Sequence, residues 1–240
     1  MLRKVVAGNM EKRNGSFRIR GHEILRIEAF SDAVFAFAVT LLIVSLEVPK
    51  NFGELMVTMR GFFAFGISFF LLMMIWYEQN VFFRRYGLHD AATIALNCTL
   101  IFLVLFYVYP LKFLFTLVFS SQIYGQGHSP IVMGATDAPK LMMIYGLGYI
   151  LIYLLFFFMY AHAIRKKEEL ELTGPEIFDT RTKLYSTIML VIIGSLSIIT
   201  AQVLPVNSAG LAGFVYVLIG PMFTVFYSYR AGRKRKLYNV

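Results

Sequence analysis

The residues best suited to chemistry are charged side chains inside the first long apolar stretch, residues 24–48. Arg26, Glu28 and Asp32 lie near its start, and Glu47 lies near its end. Ionisable groups within an apolar segment are costly and indicate a functional role. An α-helix turns about 100° per residue, so Asp32 points about 120° away from Arg26. We therefore expect each of these two to reach a polar group on a neighbouring helix, although Arg26 and Glu28 could instead snorkel to an interface.

A second polar cluster ends the next apolar stretch, residues 55–80. It contains more hydrogen-bonding groups than an interfacial belt of Trp and Tyr requires. We therefore expect it to supply partners for Arg26 or Asp32. Its members are Trp76, Glu78, Gln79 and Asn80. In the third apolar stretch, Asn97 is a candidate buried polar residue, and Lys112 is expected to snorkel.

Catalytic and metal-binding motifs are absent from the sequence. The histidines are isolated, and there is no HExxH, CxxC, Walker loop or GxSxG. The single cysteine, Cys98, cannot form an internal disulfide. We predict that the protein is not an enzyme and that it holds no metal and no cofactor.

The elements that position these residues follow from composition. Hydrophobic residues make up 58% of the 240 residues and charged residues 15%, against about 25% charged in a typical soluble domain. The charges are too few to cover a globule in water, which predicts an all-α integral membrane protein in a lipid bilayer. The net charge of +9 is concentrated at the ends of the apolar stretches. This placement favours membrane orientation over nucleic-acid binding, and no soluble partner is predicted.

Six apolar stretches have the length of about 20 residues that a transmembrane helix requires. The predicted spans are residues 24–48, 55–80, 91–119, 139–164, 184–204 and 209–229. They define a membrane domain at residues 24–229, preceded by a basic segment at 1–23 and followed by a basic tail at 230–240. Residues 120–138 form a predicted outer loop, and residues 165–183 form the longest predicted inner loop.

The distribution of Lys and Arg predicts the orientation. With six spans, all but four of the 23 Lys and Arg residues lie on the side that holds both termini. The four exceptions are Lys50, Arg60, Lys112 and Lys140. By the positive-inside rule, both termini are cytoplasmic, and we expect a multi-pass protein of the cell (plasma) membrane.

The first span also carries an apolar stripe. Phe30, Phe37, Leu41, Val44 and Val48 recur at spacings of 7, 4, 3 and 4 residues and therefore share one helix face. Small residues and one hydroxyl lie beside it, at Ala33, Ala36, Ala38 and Thr40. The periodicity alone is equally compatible with a face that contacts lipid or another helix.

The run Arg26-Ile27-Glu28-Ala29-Phe30-Ser31-Asp32 resembles the RxxxFSD signature of the transmembrane protein 175 family of potassium channels. The following AVFAFAVTLLIVSLEVP is similar to the rest of that family's first helix. The segments IWYEQNVFFRRYGL and NCTLIFLVLFYVYPLKFLF resemble its second and third helices. The resemblance covers residues 20–119 well and the remainder by topology.

The resemblance implies a homotetramer of six-span subunits in which the first helix of each subunit lines a potassium-permeable pore. It implies an apolar constriction at Phe37, Leu41 and Val44, with Ala33, Thr40 and Val48 lining the pore beside it. The signature residues Arg26, Phe30, Ser31 and Asp32 would tie the first helix to the second and third. The family usually has Ile or Leu at the first constriction position, where this sequence has Phe37.

An apolar constriction gates by dewetting, since a narrow apolar pore holds neither water nor a bare ion. The carbonyl filter sequence TVGYG is absent, so only a modest preference for potassium over sodium is expected. A secondary transporter of ions or small solutes is the alternative. Transporters typically show internal repeats and broken helices, whereas residues 24–48 contain no Gly or Pro.

Overall fold

The structure is a computed structural model that describes residues 17–21, 23–44, 49–125, 134 and 137–238, without the side chains of residues 43, 44, 121, 122, 206, 207 and 209. These residues form helices joined by short non-helical segments and include no strand. The helices in chain order are α1 (Arg26–Val44), α2 (Phe52–Arg60), α3 (Phe62–Tyr86), α4 (Ala91–Val118), α5 (Ser120–Tyr124), α6 (Asp137–Arg165), α7 (Gly174–Val203) and α8 (Ile219–Tyr238). A 3-10 helix at Val206–Leu218 joins α7 to α8.

Five helical segments of the described chain are long and apolar enough to cross a membrane. They are Phe52–Tyr86, Ala91–Val118, Asp137–Arg165, Gly174–Val203 and Gly210–Tyr238. The predicted all-α class with several apolar spans is confirmed. The predicted first span corresponds to α1, whose 19 residues adjoin residues 45–48, outside the described chain. The count of six spans therefore stays a prediction.

The second span consists of two helices that meet at Gly61. This residue keeps helical angles (φ −66°, ψ −9°) and donates its N–H to the carbonyls of Val57 and Thr58, so the chain continues almost straight into α3. The span ends at Tyr86 rather than at residue 80. Gly87 stops it there with a left-handed φ of 60°, which costs glycine little because it has no Cβ.

The predicted inner loop at residues 165–183 was wrong in extent, because α7 already begins at Gly174. The Glu176 carboxylate accepts a 2.9 Å hydrogen bond from the backbone N–H of Thr173, the residue before the helix. Pro175 occupies the first turn, where its missing N–H costs no hydrogen bond. Together these residues start the helix ten positions before the apolar stretch that defined the predicted span.

The predicted basic tail is helical as far as Tyr238. Its cations bind α7: Lys234 Nζ lies 2.6 Å from the Asp179 carboxylate, and the Arg230 guanidinium lies 3.8 Å from the centre of the Phe178 ring. Because these contacts satisfy charged groups along α7, the last helix extends beyond the apolar residues from which its end was predicted.

The main core lies among α1, α3, α4 and α6. Aromatic and aliphatic side chains that are at most 1% exposed meet there: Phe35, Phe82, Leu100, Ile152, Phe156 and Tyr160. Apolar side chains elsewhere on these helices point outward, such as Phe102 and Phe106 of α4, which are 66% and 69% exposed. An exposed apolar surface of this kind is what a lipid-facing helix presents.

Open space surrounds Gly213 and Gly220 within the described chain, so neither serves close helix packing there. The close approach occurs between α6 and α7 instead. A Cβ at Gly146 would collide with Ile198, and a Cβ at Gly194 would approach Ile150 and Tyr149 too closely. Small residues let two helix backbones approach, but only the packing shows which glycines serve that purpose.

Candidate functional site: the first helix and its polar contacts

Helix α1 has one side buried in the bundle. Ser31, Phe35, Ala38 and Leu42 recur at spacings of 4, 3 and 4 residues, and each is at most 1% exposed. This spacing places them on one face of a helix. They pack against α3 and α4, the two helices that α1 contacts within the described chain. The buried side thus fixes which face of α1 is turned away from its own subunit.

The opposite side of α1 is uncovered within one chain. Phe30 and Phe37 are 54% and 57% exposed, and Ala33 and Thr40 are exposed as well. Leu41 lies at the edge of this face and packs partly against the core. The Val44 side chain and all of Val48 lie outside the described residues. The predicted stripe is therefore exposed at Phe30 and Phe37 and half-buried at Leu41.

A chain of hydrogen bonds joins three helices beneath the signature. Gln79 Nε2 donates to Asn97 Oδ1 over 2.8 Å, and Asn97 Nδ2 donates to Ser31 Oγ over 2.8 Å. Ser31 Oγ in turn donates to the Ile27 carbonyl over 2.7 Å. Ser31, Asn97 and Gln79 are at most 2% exposed. Buried polar groups stabilise a fold only when they are hydrogen-bonded. The three buried side chains meet this condition by bonding to one another and to the Ile27 carbonyl.

Asp32 contacts α3 rather than α4. The indole N–H of Trp76 donates to Asp32 Oδ1 over 2.7 Å. Trp76 belongs to the polar cluster that the sequence offered as a source of partners. Asp32 remains exposed overall despite this contact.

Among the described residues, no hydrogen bond or ion pair from Arg26 joins α1 to another helix, and Phe30 is exposed. Arg26 is exposed as well. The expectation that Arg26 reaches a polar group on a neighbouring helix is therefore not met inside one subunit. Glu28 has a buried Oε1 atom that accepts no hydrogen bond from the described part of the protein.

Glu78 forms its hydrogen bonds and ion pair with α6 and α7, and not with α1 as expected. Lys183 Nζ of α7 lies 2.8 Å from each of its carboxylate oxygens, and the Tyr160 hydroxyl of α6 donates to Oε1. Glu78 therefore pairs with neither Arg26 nor Asp32. Asn80 makes no hydrogen bond to any described residue. Of the predicted partners, only Trp76 and Gln79 reach the signature, Gln79 through Asn97.

Lys112 does not snorkel as predicted. Its Nζ donates to the Leu42 carbonyl of α1 over 2.8 Å. The contact links the far end of α4 to the first helix, on the opposite side of the membrane domain from the signature. A cation near the last carbonyls of a helix also complements the negative end of the helix dipole.

One histidine has a partner that the sequence did not reveal. The ring of His162 in α6 lies 2.8 Å from the carboxylate of Asp90, which precedes α4. Burial alone would raise the pKa of Asp90. Hydrogen bonds from Thr93 and His162, with the positive charge of His162 and Lys166, outweigh that effect and leave the pKa of Asp90 lowered. No group of three His, Cys, Asp or Glu in the described chain could hold a metal.

Comparison with known proteins gives a consistent result. The family described as "Endosomal/lysosomal potassium channel TMEM175" matches residues 26–110. A protein named "Potassium channel" from Marivirga tractuosa is 40% identical over 238 residues, which cover 93% of this chain and 94% of that protein.

Two solved structures share the architecture. A crystal structure of a variant of the potassium channel MtTMEM175, in complex with a nanobody fusion protein, aligns with a TM-score of 0.77 at 38% identity. The match covers 92% of this chain and 99% of that chain. A lysosomal potassium-selective channel TMEM175 homolog from Chamaesiphon minutus aligns with a TM-score of 0.54 at 23% identity, over 87% of this chain and 96% of that chain, and shows the shared fold.

The fold and the signature thus define an α-helical membrane protein whose relatives are ion channels and not enzymes. The chain belongs to the TMEM175 family.

Proposed function

We propose that this chain is one subunit of a potassium-permeable cation channel, in which the first helix of each subunit lines the ion path. The observation that best supports this proposal is the uncovered face of α1. Phe37, Ala33 and Thr40 are exposed, while the opposite face is fixed to α3 and α4. One helix cannot enclose a pore, so several copies of this face must meet around an axis. We propose a homotetramer, the assembly that the resemblance to the family implies.

The proposed gate is the apolar part of this face, at Phe37, Leu41 and Val44. Four copies of each side chain would form rings that exclude water, and an ion cannot shed its hydration shell to pass a dry ring. Leu41 packs partly against the core at the edge of the uncovered face. A small rotation or outward shift of α1 would therefore be enough to change how far it reaches toward the axis.

Thr40 is the proposed selectivity group. Its hydroxyl donates to the Phe37 carbonyl over 2.7 Å, so its proton is engaged within the helix. The oxygen keeps acceptor capacity on the exposed face, where it could coordinate a cation. Ala33 and Val48 would line the path on either side. Without a carbonyl cage, we expect potassium to be preferred over sodium only modestly.

The membrane-embedded assembly would lie in the plasma membrane with both termini cytoplasmic, which the segregation of Lys and Arg supports. The basic ends of α3, α6 and α8 would then share the cytoplasmic side.

Reconstitution into lipid bilayers tests the proposal. The purified protein should carry potassium current whose reversal potential follows the ion gradients alone. Leu41→Asn and Phe37→Asn should hydrate the constriction and raise the open probability. The matched controls are Leu196→Asn and Phe158→Asn, which change exposed apolar residues of α7 and α6 and should leave it unchanged.

Three results would contradict the proposal. Absence of cation flux above that of empty liposomes would exclude a channel. Wild-type currents in both Leu41→Asn and Phe37→Asn would place the ion path elsewhere. A reversal potential that depends on a second, coupled solute would indicate a transporter.

A further inference from the structure

A short non-helical segment precedes α1 and binds the end of α3 and the start of α7. We call residues 17–21 the strap. The backbone N–H groups of Arg20 and Gly21 both donate to the Arg84 carbonyl over 3.1 Å, near the end of α3. The fit is close, because a Cβ at Gly21 would lie 2.7 Å from the Phe83 carbonyl oxygen. The strap is therefore seated on the end of α3 and is more than a solvated basic tail.

The Arg20 guanidinium uses its whole donor set within the protein. Nε donates to the Leu170 carbonyl over 2.7 Å, and the two terminal nitrogens reach the Glu176 carboxylate over 3.1 and 2.8 Å. The same nitrogens also donate to the carbonyls of Arg18 and Glu171. The Arg20 side chain is only 12% exposed. Two-point contact between a guanidinium and a carboxylate is among the strongest and most directional hydrogen-bonded pairs.

The Glu176 carboxylate makes further hydrogen bonds within the protein. Besides Arg20, its carboxylate accepts hydrogen bonds from the backbone N–H groups of Arg18 and Thr173, over 2.8 and 2.9 Å. Its side chain is 5% exposed. Glu176 lies in the first turn of α7, where the positive end of the helix dipole also favours a carboxylate. The strap is thus bound to the start of α7 through one nearly buried ion pair.

Phe17 adds an apolar contact at the start of the strap. Its ring meets the ring of Tyr86 edge to face, with centroids 5.4 Å apart, and the Arg85 guanidinium lies 5.0 Å from its centre. Tyr86 itself is buried and donates to Thr180 of α7 over 2.8 Å. The strap, the end of α3 and the start of α7 therefore form one connected anchor.

The anchor lies close to α1 in sequence. Gly21 precedes Arg26 by five positions, and five residues span at most about 17 Å even when fully extended. Within the described chain, α1 packs against α3 and α4 and makes no direct contact with α6, α7 or α8. The strap therefore ties the N-terminal end of α1 to α7, in addition to the contact of α1 with α3.

We propose that Arg20 and Glu176 are positioning residues for ion conduction, which hold the N-terminal end of α1 back from the pore axis. The inference rests on the proposed function. The anchor is built on the end of α3 and the start of α7, and α3 packs against the buried side of α1, which is opposite its uncovered face. Releasing the strap lets the four first helices approach one another, which narrows the apolar constriction and favours the closed state.

Single-channel recording of the full-length tetramer tests this role. Arg20→Gln should lower the open probability by about fivefold or more, a typical size for coupling between two sites. Unitary conductance and reversal potential should stay at wild-type values, because neither residue touches the ion path. Glu176→Gln keeps an acceptor for Thr173 and should have the same effect. The double variant should show no further decrease, because both changes break one pair.

Lys167→Gln is the matched control, since Lys167 is exposed on the same side of the protein and its removal deletes the same charge. Its open probability should equal that of the wild type. Arg20→Lys keeps the charge but loses the two-point geometry, and it should fall between the wild type and Arg20→Gln.

The inference is overturned if Arg20→Gln conducts with wild-type open probability, or if it changes unitary conductance instead. It is also overturned if neither Arg20→Gln nor Arg20→Lys forms the tetramer by size-exclusion chromatography, because the pair would then be a requirement of folding. A wild-type protein that carries no potassium current would refute the proposed function itself, so the two failures are distinguishable.

Discussion

The indole N–H of Trp76 lies 2.7 Å from a carboxylate oxygen of Asp32 and joins α1 to α3 at the signature. Indole can only donate a hydrogen bond, and an ionised carboxylate can only accept. In this pair Trp76 is the donor and Asp32 the acceptor, so replacing the indole with an aromatic ring that has no N–H removes the bond.

Trp76→Phe should destabilise the protein by about 1 kcal/mol, less than the roughly 1.5–3 kcal/mol expected for a hydrogen bond to a charged group, because Asp32 remains exposed. The measurement is thermal unfolding in detergent. Tyr77→Phe is the control, since Tyr77 is 63% exposed on the same helix. Equal melting temperatures for Trp76→Phe and the wild type would mean that the bond contributes nothing.

Asp32→Asn removes the charge, and we expect it to lose assembled tetramer or current.

Asn97→Leu should be more damaging, because it leaves Ser31 and Gln79 without their partner inside the bundle. An unsatisfied buried polar group costs about 1–3 kcal/mol. Thermal unfolding should therefore show a clear decrease in stability. Thr99→Val is the control, since Thr99 is exposed on α4 and bonds only to the Ala95 carbonyl of its own helix. A variant as stable as this control would show that the hydrogen-bonded chain is dispensable.

Lys183→Met should destabilise the bundle by about 3 kcal/mol, because it leaves the partly buried Glu78 carboxylate without its counter-charge. The double variant Glu78→Gln and Lys183→Met should recover part of this loss. The recovery is expected because Glu78→Gln removes the carboxylate that Lys183→Met leaves without a counter-charge. Chemical or thermal denaturation of all three variants gives the coupling. Strict additivity of the two single changes would contradict the ion pair.

The stability of the protein should depend on pH through the Asp90 carboxylate. Its pKa is lower in the folded protein than the ordinary value of 3.8, so its stabilising effect is present above that value and is lost as the pH falls through the lowered pKa. Asp90→Asn should therefore melt below the wild type at about pH 7, and the gap should shrink toward about pH 3. A gap that is constant with pH would assign the effect to something other than the charge.

Gly146→Val should destabilise the contact between α6 and α7, because its side chain would collide with Ile198. Overpacking of this kind typically costs about 1–3 kcal/mol. Gly213→Val is the matched control, since open space surrounds Gly213. Thermal unfolding of both variants should lower only the first melting temperature. An equal decrease in both would point to loss of glycine flexibility or to lipid effects.

Much of the candidate site could be predicted because it depends on local sequence. The signature residues stand out as polar groups inside an apolar stretch, and Trp76 and Gln79 stand out at the end of the next one. Their partners were harder to assign. Lys183 was placed in a loop because polar residues surround it, so its pairing with Glu78 could not be foreseen.

The strap shows the same limit. Arg20 appeared as one of many basic residues on the predicted cytoplasmic side, and its charge supported only the orientation. Its partner Glu176 is 156 positions away in the sequence. Nothing in the spacing of either residue indicates that they meet, because the pair forms only when the strap, seated on the end of α3, reaches the start of α7.

The sequence by itself determined the class of the protein, since crossing a bilayer requires long apolar stretches and excludes most charges from them. It also determined which residues are exceptional within those stretches. Only the tertiary structure decided where their side chains point. Glu78 and Gln79 are neighbours in the chain, yet a turn of about 100° per residue sends one to Lys183 and Tyr160 and the other to Asn97. Helix rotation and the choice of neighbouring helices are set by packing of the whole bundle, which no local pattern records.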